Sequence, residues 1–212
     1  MKLYSFFRSG TSHRTRIVLN LKGLDYATSF VSLAKNEHQQ PSYTAINPQG
    51  FVPVLETEYG NLAQSPAIIE WLEEQYPEPA LLPTDALGKE KVRAMAALVG
   101  CDIHPLNNKR VLEYLRHDLG LNETQVLAWC GQWIHSGFQA LEQILSRDLE
   151  RGKFCYGHQP TIADAYLIPQ VDSARRFQVD MSMYPNINEI YQHCMTLDAF
   201  KQAAPEQQLD AV

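Results

Sequence analysis

The sequence predicts a two-domain protein, with an α/β domain over residues 1–80 and an all-helical domain over residues 87–212. Within the first 80 residues, short apolar runs alternate with helical patterns. Residues 77–88 then contain three prolines and a glycine, a composition typical of a linker. Every later segment with a clear hydrophobic period has the period of a helix. These three observations predict the fold class.

The chain begins with a predicted strand over residues 1–7. Residues 12–23 have the apolar period of a helix, and Gly23 is placed to cap its C-terminus. A second strand is predicted over residues 26–33. Two strands joined through one helix form a right-handed βαβ unit, so we expect these strands to be parallel.

A hairpin and a helix complete the predicted first domain. Residues 52–58 and 61–64 have the composition of strands, and Tyr59–Gly60 between them predicts the turn. Ser65 is the expected N-cap of a helix over residues 66–76, which starts with a proline. The order β-α-β followed by β-β-α is the thioredoxin-like arrangement.

Three longer helices are predicted in the second domain. The first covers residues 89–119, and Pro105 inside it should produce a kink. The second covers residues 124–152. The third starts at Thr161 as N-cap, with Asp164 in the position that completes a capping box.

The overall charge limits the kinds of partner. The sequence has 24 acidic and 18 basic residues, so no basic excess can neutralise nucleic-acid phosphates or an anionic membrane surface. No run of about eighteen apolar residues predicts a membrane span. The first residues lead directly into patterned sequence without the apolar core of a signal peptide. We therefore expect a cytoplasmic protein that acts on a small molecule and binds neither nucleic acid nor membrane.

The cysteines predict neither a metal site nor disulfide chemistry. All four lie beyond residue 100, without a C-x-x-C pair or a spacing typical of zinc. This pattern argues against an oxidoreductase of the thioredoxin kind. Scattered cysteines indicate a reduced protein, in which most of them serve as small buried apolar residues.

Three motifs carry a resemblance to a known family. NPQGFVPVL at residues 47–55 is similar to the pattern N-P-x-G-x-V-P-x-L, and QSPAI at residues 64–68 resembles a glutamyl-binding turn. RSGTSHRTRI at residues 8–17 resembles R-S-S-C-x-x-R-x-R-I. The motifs are those of the glutathione S-transferases, and the last is the signature of their zeta class. The resemblance covers essentially the whole chain and is closest to the branch of bacterial glutathione-dependent maleylpyruvate isomerases.

The resemblance implies that glutathione is the cofactor and that the first domain binds it. The Val52–Pro53 peptide bond is expected to be cis, with the Val52 backbone turned towards the peptide bonds of glutathione. Ser65 and the first amides of its helix would bind the α-carboxylate of the tripeptide, or Ser65 is only a cap. His38 would contact the glycyl end, or it is an exposed loop histidine. The same segments include Gln49 and Gln64 among the implied contacts.

The same resemblance explains the hydroxyl-rich turn at residues 8–11. Because the thiol comes from glutathione, the turn needs no cysteine. A hydroxyl at a helix N-terminus with cations nearby stabilises a thiolate over a thiol. Ser9 keeps the position of the class and is the first candidate donor, while Thr11 is the second and Gly10 lies between them. Thr11 replaces the cysteine of the class, so it cannot supply the auxiliary chemistry linked to that cysteine.

The resemblance also assigns residues of the helical domain to the glutathione site. His104 and Asn108 are four residues apart on the predicted helix, so we expect them on one face, with Arg110 off that face. His104 either positions sulfur or substrate or is an ordinary helix histidine. Asp102 either reaches the glutathione of a neighbouring subunit in an expected homodimer or is a solvated charge.

The implied reaction is cis–trans isomerisation of an unsaturated dicarboxylate by addition and elimination of glutathione, which is regenerated. Arg8 and Arg176 would bind the two carboxylates through planar, bidentate guanidinium groups. Otherwise Arg176 only complements the dipole of its helix. Maleylpyruvate and maleylacetoacetate present the same maleyl end, and the branch resemblance favours maleylpyruvate.

Two other functions are compatible with the fold. A transferase with broad electrophile or haloacid substrates would use the same thiolate site beside an apolar pocket, and the two arginines argue against it. A non-catalytic interaction module would be expected to lose the Ser9 turn or the Val52–Pro53 pair. Both are intact in the sequence.

Overall fold

A computed structural model describes residues 1–211 of the chain. These residues form two compact units: residues 1–81 with residues 195–211, and residues 82–194. The strands all lie in the first unit and are β1 (Lys2–Ser5), β2 (Ala27–Phe30), β3 (Val54–Thr57) and β4 (Gly60–Ala63). The α-helices are α1 (Gly10–Leu21), α2 (Pro41–Thr44), α3 (Ser65–Gln75), α4 (Ala86–Ala97), α5 (Lys109–His117), α6 (Glu123–Arg147), α7 (Ile162–Arg176), α8 (Pro185–Cys194) and α9 (Asp198–Ala203).

The four strands form one mixed sheet in the order β2-β1-β3-β4. β1 pairs with β2 in parallel, as the βαβ prediction requires, and β3 is antiparallel to both β1 and β4. The core of this unit contains Leu3 and Leu55 from the sheet, Ile17 from α1 and Ile68 from α3, all fully buried. The thioredoxin-like α/β domain and the helical second part are therefore confirmed. None of the helices within residues 1–211 is long and apolar enough to cross a membrane.

The hairpin turn lies one residue earlier than predicted. Thr57 pairs directly with Gly60, so the two-residue loop is Glu58–Tyr59 rather than Tyr59–Gly60. Gly60 has a φ of 110° and already belongs to β4. A glycine adopts this backbone conformation without steric penalty, which explains its place at the first position after the loop.

The predicted long helix over residues 89–119 is wrong. α4 ends at Ala97 and is followed by a π-helical segment, Leu98–Ile103, and by a 3₁₀ turn, His104–Leu106. Because Pro105 has no N–H and its ring clashes with the preceding turn, the α-helical hydrogen bonds do not continue through it. A new helix, α5, starts after Asn108, whose side chain accepts a hydrogen bond from the Val111 N–H at 3.3 Å.

The start of α7 agrees with the prediction. Asp164 is fully buried and accepts hydrogen bonds from the backbone N–H of Thr161 at 2.7 Å and from the Thr161 hydroxyl at 2.8 Å. It also accepts one from the Cys155 N–H at 2.8 Å. The capping residues thus hold the preceding loop as well as the helix end.

The end of the chain differs from the prediction that all residues from 87 onward form one helical domain. Residues 195–211 pack with the first unit, where α9 lies against α1. The Asn20 side-chain amide donates to the Ala199 carbonyl at 3.0 Å. The Arg16 Nε donates to the Ala203 carbonyl at 2.9 Å. The C-terminal segment is therefore part of the thioredoxin-like unit.

Candidate active site

The turn between β1 and α1 presents Ser9 at the start of a helix. Ser9 is the N-cap of α1, and its Oγ accepts a hydrogen bond from the Ser12 N–H at 3.2 Å. The Ser9 N–H donates to the Phe6 carbonyl at 3.0 Å, which closes the turn. The hydroxyl therefore lies where the positive end of the helix dipole favours negative charge.

Ser9, Thr11 and Val52 form a directed chain of hydrogen bonds. The Thr11 hydroxyl donates to the Val52 carbonyl at 2.9 Å, and Thr11 Oγ1 lies 2.8 Å from Ser9 Oγ. A hydroxyl has only one proton to donate, so Ser9 must be the donor in the second contact. The structure thus brings the two predicted thiolate donors together with the predicted glutathione-binding loop.

That loop contains the predicted cis peptide bond between Val52 and Pro53. Both residues are buried. Two side chains bind the adjacent Phe51 carbonyl: the Tyr43 hydroxyl donates to it at 2.7 Å and the Asn47 amide at 2.8 Å. The loop is therefore held by Tyr43 and Asn47 at the Phe51 carbonyl and by Thr11 at the Val52 carbonyl.

The Gln49 and Gln64 side chains contact each other, since Gln64 Nε2 donates to Gln49 Oε1. Gln64 has a φ of 68° and immediately precedes α3. The prediction that Ser65 is the N-cap of this helix is wrong: Gln64 holds that position, and Ser65 is the first helical residue. Ser65 is buried, at 3% exposure, and no side chain at the cap position binds the first amides of α3.

His38 is not the exposed loop histidine that was one of its two predicted roles. It lies in a short 3₁₀ turn, Glu37–Gln39, and is 7% exposed. Its carbonyl oxygen approaches Gly50 so closely that a Cβ there would lie 2.9 Å away. Gly50 also has a φ of 64°, so a side chain at this position is excluded on two grounds. A contact between His38 and the glycyl end of glutathione stays a prediction.

His104 and Asn108 do not share a helix face, because the predicted helix is interrupted between them. His104 belongs to the 3₁₀ turn, whereas Asn108 caps α5. Arg110 is exposed in the first turn of α5, so its predicted position relative to the other two also no longer applies. The roles of all three towards glutathione stay predictions.

Asp102 is exposed on the π-helical segment and lines an open cavity of about 400 Å³. Cys101 and Leu98 from the same segment and Trp133 from α6 also line this cavity. The position is accessible, as a contact with a neighbouring subunit would require, but the contact itself stays a prediction.

The two predicted carboxylate ligands, Arg8 and Arg176, are both exposed. The Arg8 guanidinium lies 5.2 Å from the Phe7 ring centroid. Arg176 is the last residue of α7, and its Nη2 donates to Ser173 Oγ at 3.2 Å. Its guanidinium lies 5.0 Å from the Phe177 ring centroid, so both arginines are oriented by an adjacent aromatic residue.

The buried cysteines are poor candidates for a protein nucleophile. Burial raises the pKa of Cys130 to about 11 and also raises the pKa values of Cys155 and Cys194. They are therefore thiols at neutral pH, and no cysteine precedes residue 100 in the sequence. Within residues 1–211, no group of three or more His, Cys, Asp and Glu side chains is placed to hold a metal ion.

Sequence reasoning missed two residues that hold the Ser9 turn. Asp210 accepts a hydrogen bond from the Phe7 N–H at 3.0 Å across 203 residues of sequence. Arg16 was part of the matched signature, but no structural role followed from it; its Nη2 donates to the Phe7 carbonyl at 3.0 Å. No local pattern could have identified Asp210, because its contact is made only in the folded chain.

The family and the relatives of this chain agree with the site. The model of the glutathione S-transferase N-terminal domain matches residues 8–75. The maleylpyruvate isomerase of Ralstonia sp. is 58% identical over 211 residues, covering 100% of both chains. The holo structure of a maleyl pyruvate isomerase, a bacterial glutathione S-transferase of the zeta class, has a TM-score of 0.99 at 58% identity and covers 100% of both chains.

A maleylacetoacetate isomerase from Methylobacterium extorquens AM1, solved with malonate and glutathione bound, has a TM-score of 0.97 at 36% identity over 100% of both chains. This chain belongs to the glutathione S-transferase family, in the zeta-class group of maleylpyruvate and maleylacetoacetate isomerases. The family and fold predicted from the motifs are therefore confirmed.

Proposed function

We propose that the protein is a glutathione-dependent cis–trans isomerase that converts maleylpyruvate to fumarylpyruvate. The observation that carries the proposal is the chain of hydrogen bonds from Ser9 through Thr11 to the carbonyl beside the cis proline. It places two hydroxyl groups at a helix N-terminus next to the loop that the family uses for glutathione. The bound glutathione supplies a thiolate that adds to the double bond, permits rotation and leaves again.

The first unit offers donors suited to a peptide that carries carboxylates and a thiol. The uncapped start of α3 has backbone N–H groups for a carboxylate, and Ser65 is in that first turn. The side chains of Gln49 and Gln64 lie directly beside this turn. The chemistry of this donor set fits glutathione.

Ser9 is better suited than Thr11 to donate to the sulfur. If the Ser9 hydroxyl turns from Thr11 to a thiolate, Thr11 still donates to the Val52 carbonyl. If Thr11 turned instead, the Val52 carbonyl would lose that hydrogen bond on a buried residue, which costs about 1–3 kcal/mol for an unsatisfied buried group. We therefore assign thiolate stabilisation to Ser9 and the support of the loop to Thr11.

The substrate is a dianion, whereas the protein has a formal charge of −6, so attraction must be local. Arg8 and Arg176 are exposed guanidinium groups that can each bind a carboxylate with two parallel hydrogen bonds. His104, Asn108 and Arg110 remain proposed contributors to glutathione binding. We also propose a homodimer in the cytoplasm, supported by the family resemblance and, for Asp102, by its exposed position.

The preference for maleylpyruvate can be tested by comparing kcat/KM for maleylpyruvate and maleylacetoacetate, with and without glutathione. We expect turnover of both maleyl compounds only with glutathione, and a higher kcat/KM for maleylpyruvate, because its relative named for that substrate shares 58% of the sequence. A higher value for maleylacetoacetate would overturn the substrate assignment alone. Accumulation of a stable thioether would overturn the isomerase assignment in favour of a transferase.

A further inference from the structure

The turn that carries Arg8 and Ser9 is held by two charged side chains, one from α1 and one from the far end of the chain. The Phe7 N–H donates to Asp210 Oδ2, and the Phe7 carbonyl accepts from Arg16 Nη2, both at 3.0 Å. The peptide groups on both sides of Phe7 are therefore fixed. Because Arg8 and Ser9 follow directly, a rotation of either peptide group would displace the Ser9 hydroxyl.

Arg16 links three elements of the first unit through one rigid, planar group. Its side chain is fully buried, and its Nε donates to the Ala203 carbonyl at 2.9 Å. Its Nη1 donates to Ser5 Oγ at 3.1 Å. The guanidinium thus joins the end of β1, the turn at Phe7 and the end of α9. Such a fixed fork of donors cannot be replaced by the point charge of a lysine.

Asp210 contributes the opposite charge in the same region. Burial lowers the pKa of Arg16 to about 10, while Tyr26 and Asp210 act in the opposite direction by charge. The other carboxylate oxygen, Asp210 Oδ1, is buried and has no hydrogen-bond partner within residues 1–211. A buried carboxylate oxygen without a partner is unfavourable. The contact with the Phe7 N–H is the hydrogen bond that the structure shows for this carboxylate within residues 1–211.

We propose that Asp210 and Arg16 are positioning residues for Ser9, and that residues 195–211 act as a strap that orients the turn from Phe6 to Ser9. The inference rests on the proposed role of Ser9 as the donor to the thiolate. Neither residue acts on glutathione or substrate directly. Their effect is transmitted through the two peptide groups beside Phe7, which set the direction of the Ser9 hydroxyl.

The test is the Asp210→Ala variant, with the pKa of the bound glutathione thiol as the main measurement, taken from the ultraviolet absorbance of the thiolate across pH. We expect this pKa to rise by roughly half to one pH unit and kcat/KM to fall about five- to tenfold, because a loosened turn weakens one hydrogen bond to the thiolate. Amide hydrogen exchange at Phe7, measured without glutathione, should become faster.

Asn20→Ala is the matched control. Asn20 joins α1 to the same strap through the Ala199 carbonyl but does not contact the turn. This variant should lower stability and leave the thiol pKa and the exchange at Phe7 unchanged. Asp210→Asn should recover most of the wild-type thiol pKa, because the amide oxygen can still accept the hydrogen bond from Phe7.

Asp210→Ala could instead lower stability as Asn20→Ala does and yet leave the thiol pKa at the wild-type value. That result would overturn the inference, because Asp210 would then contribute only to stability. If Asp210→Ala does not fold, Asp210→Glu replaces it, since this variant keeps the charge but moves the acceptor by one methylene. It should raise the thiol pKa more than Asp210→Asn does, and the reverse order would overturn the inference. Thiol titration requires bound glutathione but no turnover. The test of Asp210 can therefore be carried out even if the protein proves not to be an isomerase.

Discussion

Replacing Ser9 with alanine should lower kcat/KM for maleylpyruvate about ten- to a hundredfold, because a hydrogen bond to a charged group contributes roughly 1.5–3 kcal/mol. The pKa of the bound glutathione thiol should rise by a corresponding amount. Thr11→Ala should have a smaller effect on this pKa, since the Thr11 hydroxyl donates to the Val52 carbonyl, whereas Ser9 is the proposed donor to the sulfur. Thiol titration of the two glutathione-bound variants measures the order directly.

Ser9 is also the N-cap of α1, so the loss of the cap must be separated from the loss of the donor. Ser9→Gly provides this control, because glycine at an N-cap costs only a few tenths of a kcal/mol relative to serine. The glycine variant should therefore be nearly as stable as the wild type and still have the raised thiol pKa. If Thr11→Ala raises the thiol pKa more than Ser9→Gly, the assignment of the two hydroxyls is reversed.

Replacing Arg176 with alanine should lower kcat/KM for the diacid about ten- to a hundredfold, while the affinity for glutathione stays near that of the wild type. The expected loss is that of one charge-assisted contact to a substrate carboxylate. Arg176→Lys should recover only part of the activity, since an ammonium group cannot reproduce a bidentate fork. Steady-state kinetics and calorimetric titration with glutathione provide the two measurements.

Arg175→Ala is the matched control for this variant. Arg175 is adjacent, exposed and of the same charge, but its guanidinium stacks 3.9 Å from the ring centroid of Tyr191. The Arg175→Ala variant should leave kcat/KM for the diacid unchanged. A neutral diester of the substrate should be insensitive to Arg176→Ala. Turnover of maleylpyruvate by Arg176→Ala at the wild-type rate would mean that Arg176 only complements the helix dipole, and Arg110 would be tested next.

Hydrophobic period and residue type correctly predicted those strands, helices and caps that depend on neighbouring residues in the sequence. The four strands and the helices α1 and α3 of the first unit follow from residue composition and apolar period, and the cap at Thr161 and Asp164 follows from residue type and spacing. The cis bond before Pro53 followed from the resemblance, because no rule of residue type alone distinguishes it from a trans bond. The same local rules placed the cap of α3 at Ser65, one residue later than the observed cap Gln64, a difference that is common at helix ends.

The sequence could not reveal that the α-helix is interrupted over residues 98–108 by a π-helical segment and a 3₁₀ turn. Apolar residues with helical spacing occur on both sides of Pro105, and this pattern does not distinguish a kinked helix from two helices separated by a 3₁₀ turn. Asn108, which was predicted to share a helix face with His104, instead caps the new helix α5 by accepting a hydrogen bond from the Val111 N–H. The assignment of His104 and Asn108 to one face failed for this reason.

The contacts that hold the turn at Ser9 were even less accessible from the sequence. Asp210 reaches Phe7 across 203 residues, and its type and spacing match no motif. Arg16 lies in the matched signature, yet its three contacts are made to Ser5, Phe7 and Ala203, which only the folded chain brings together. Contacts of this kind depend on tertiary packing, so no period or propensity predicts them.

Catalytic use of glutathione in the isomerisation is tested most directly by following maleylpyruvate by NMR with glutathione present at a small fraction of the substrate concentration. We expect complete conversion to fumarylpyruvate, with the free thiol concentration unchanged at the end, because glutathione leaves in every cycle. Conversion that stops when an equal amount of glutathione has been consumed, or full conversion without any glutathione, would contradict it.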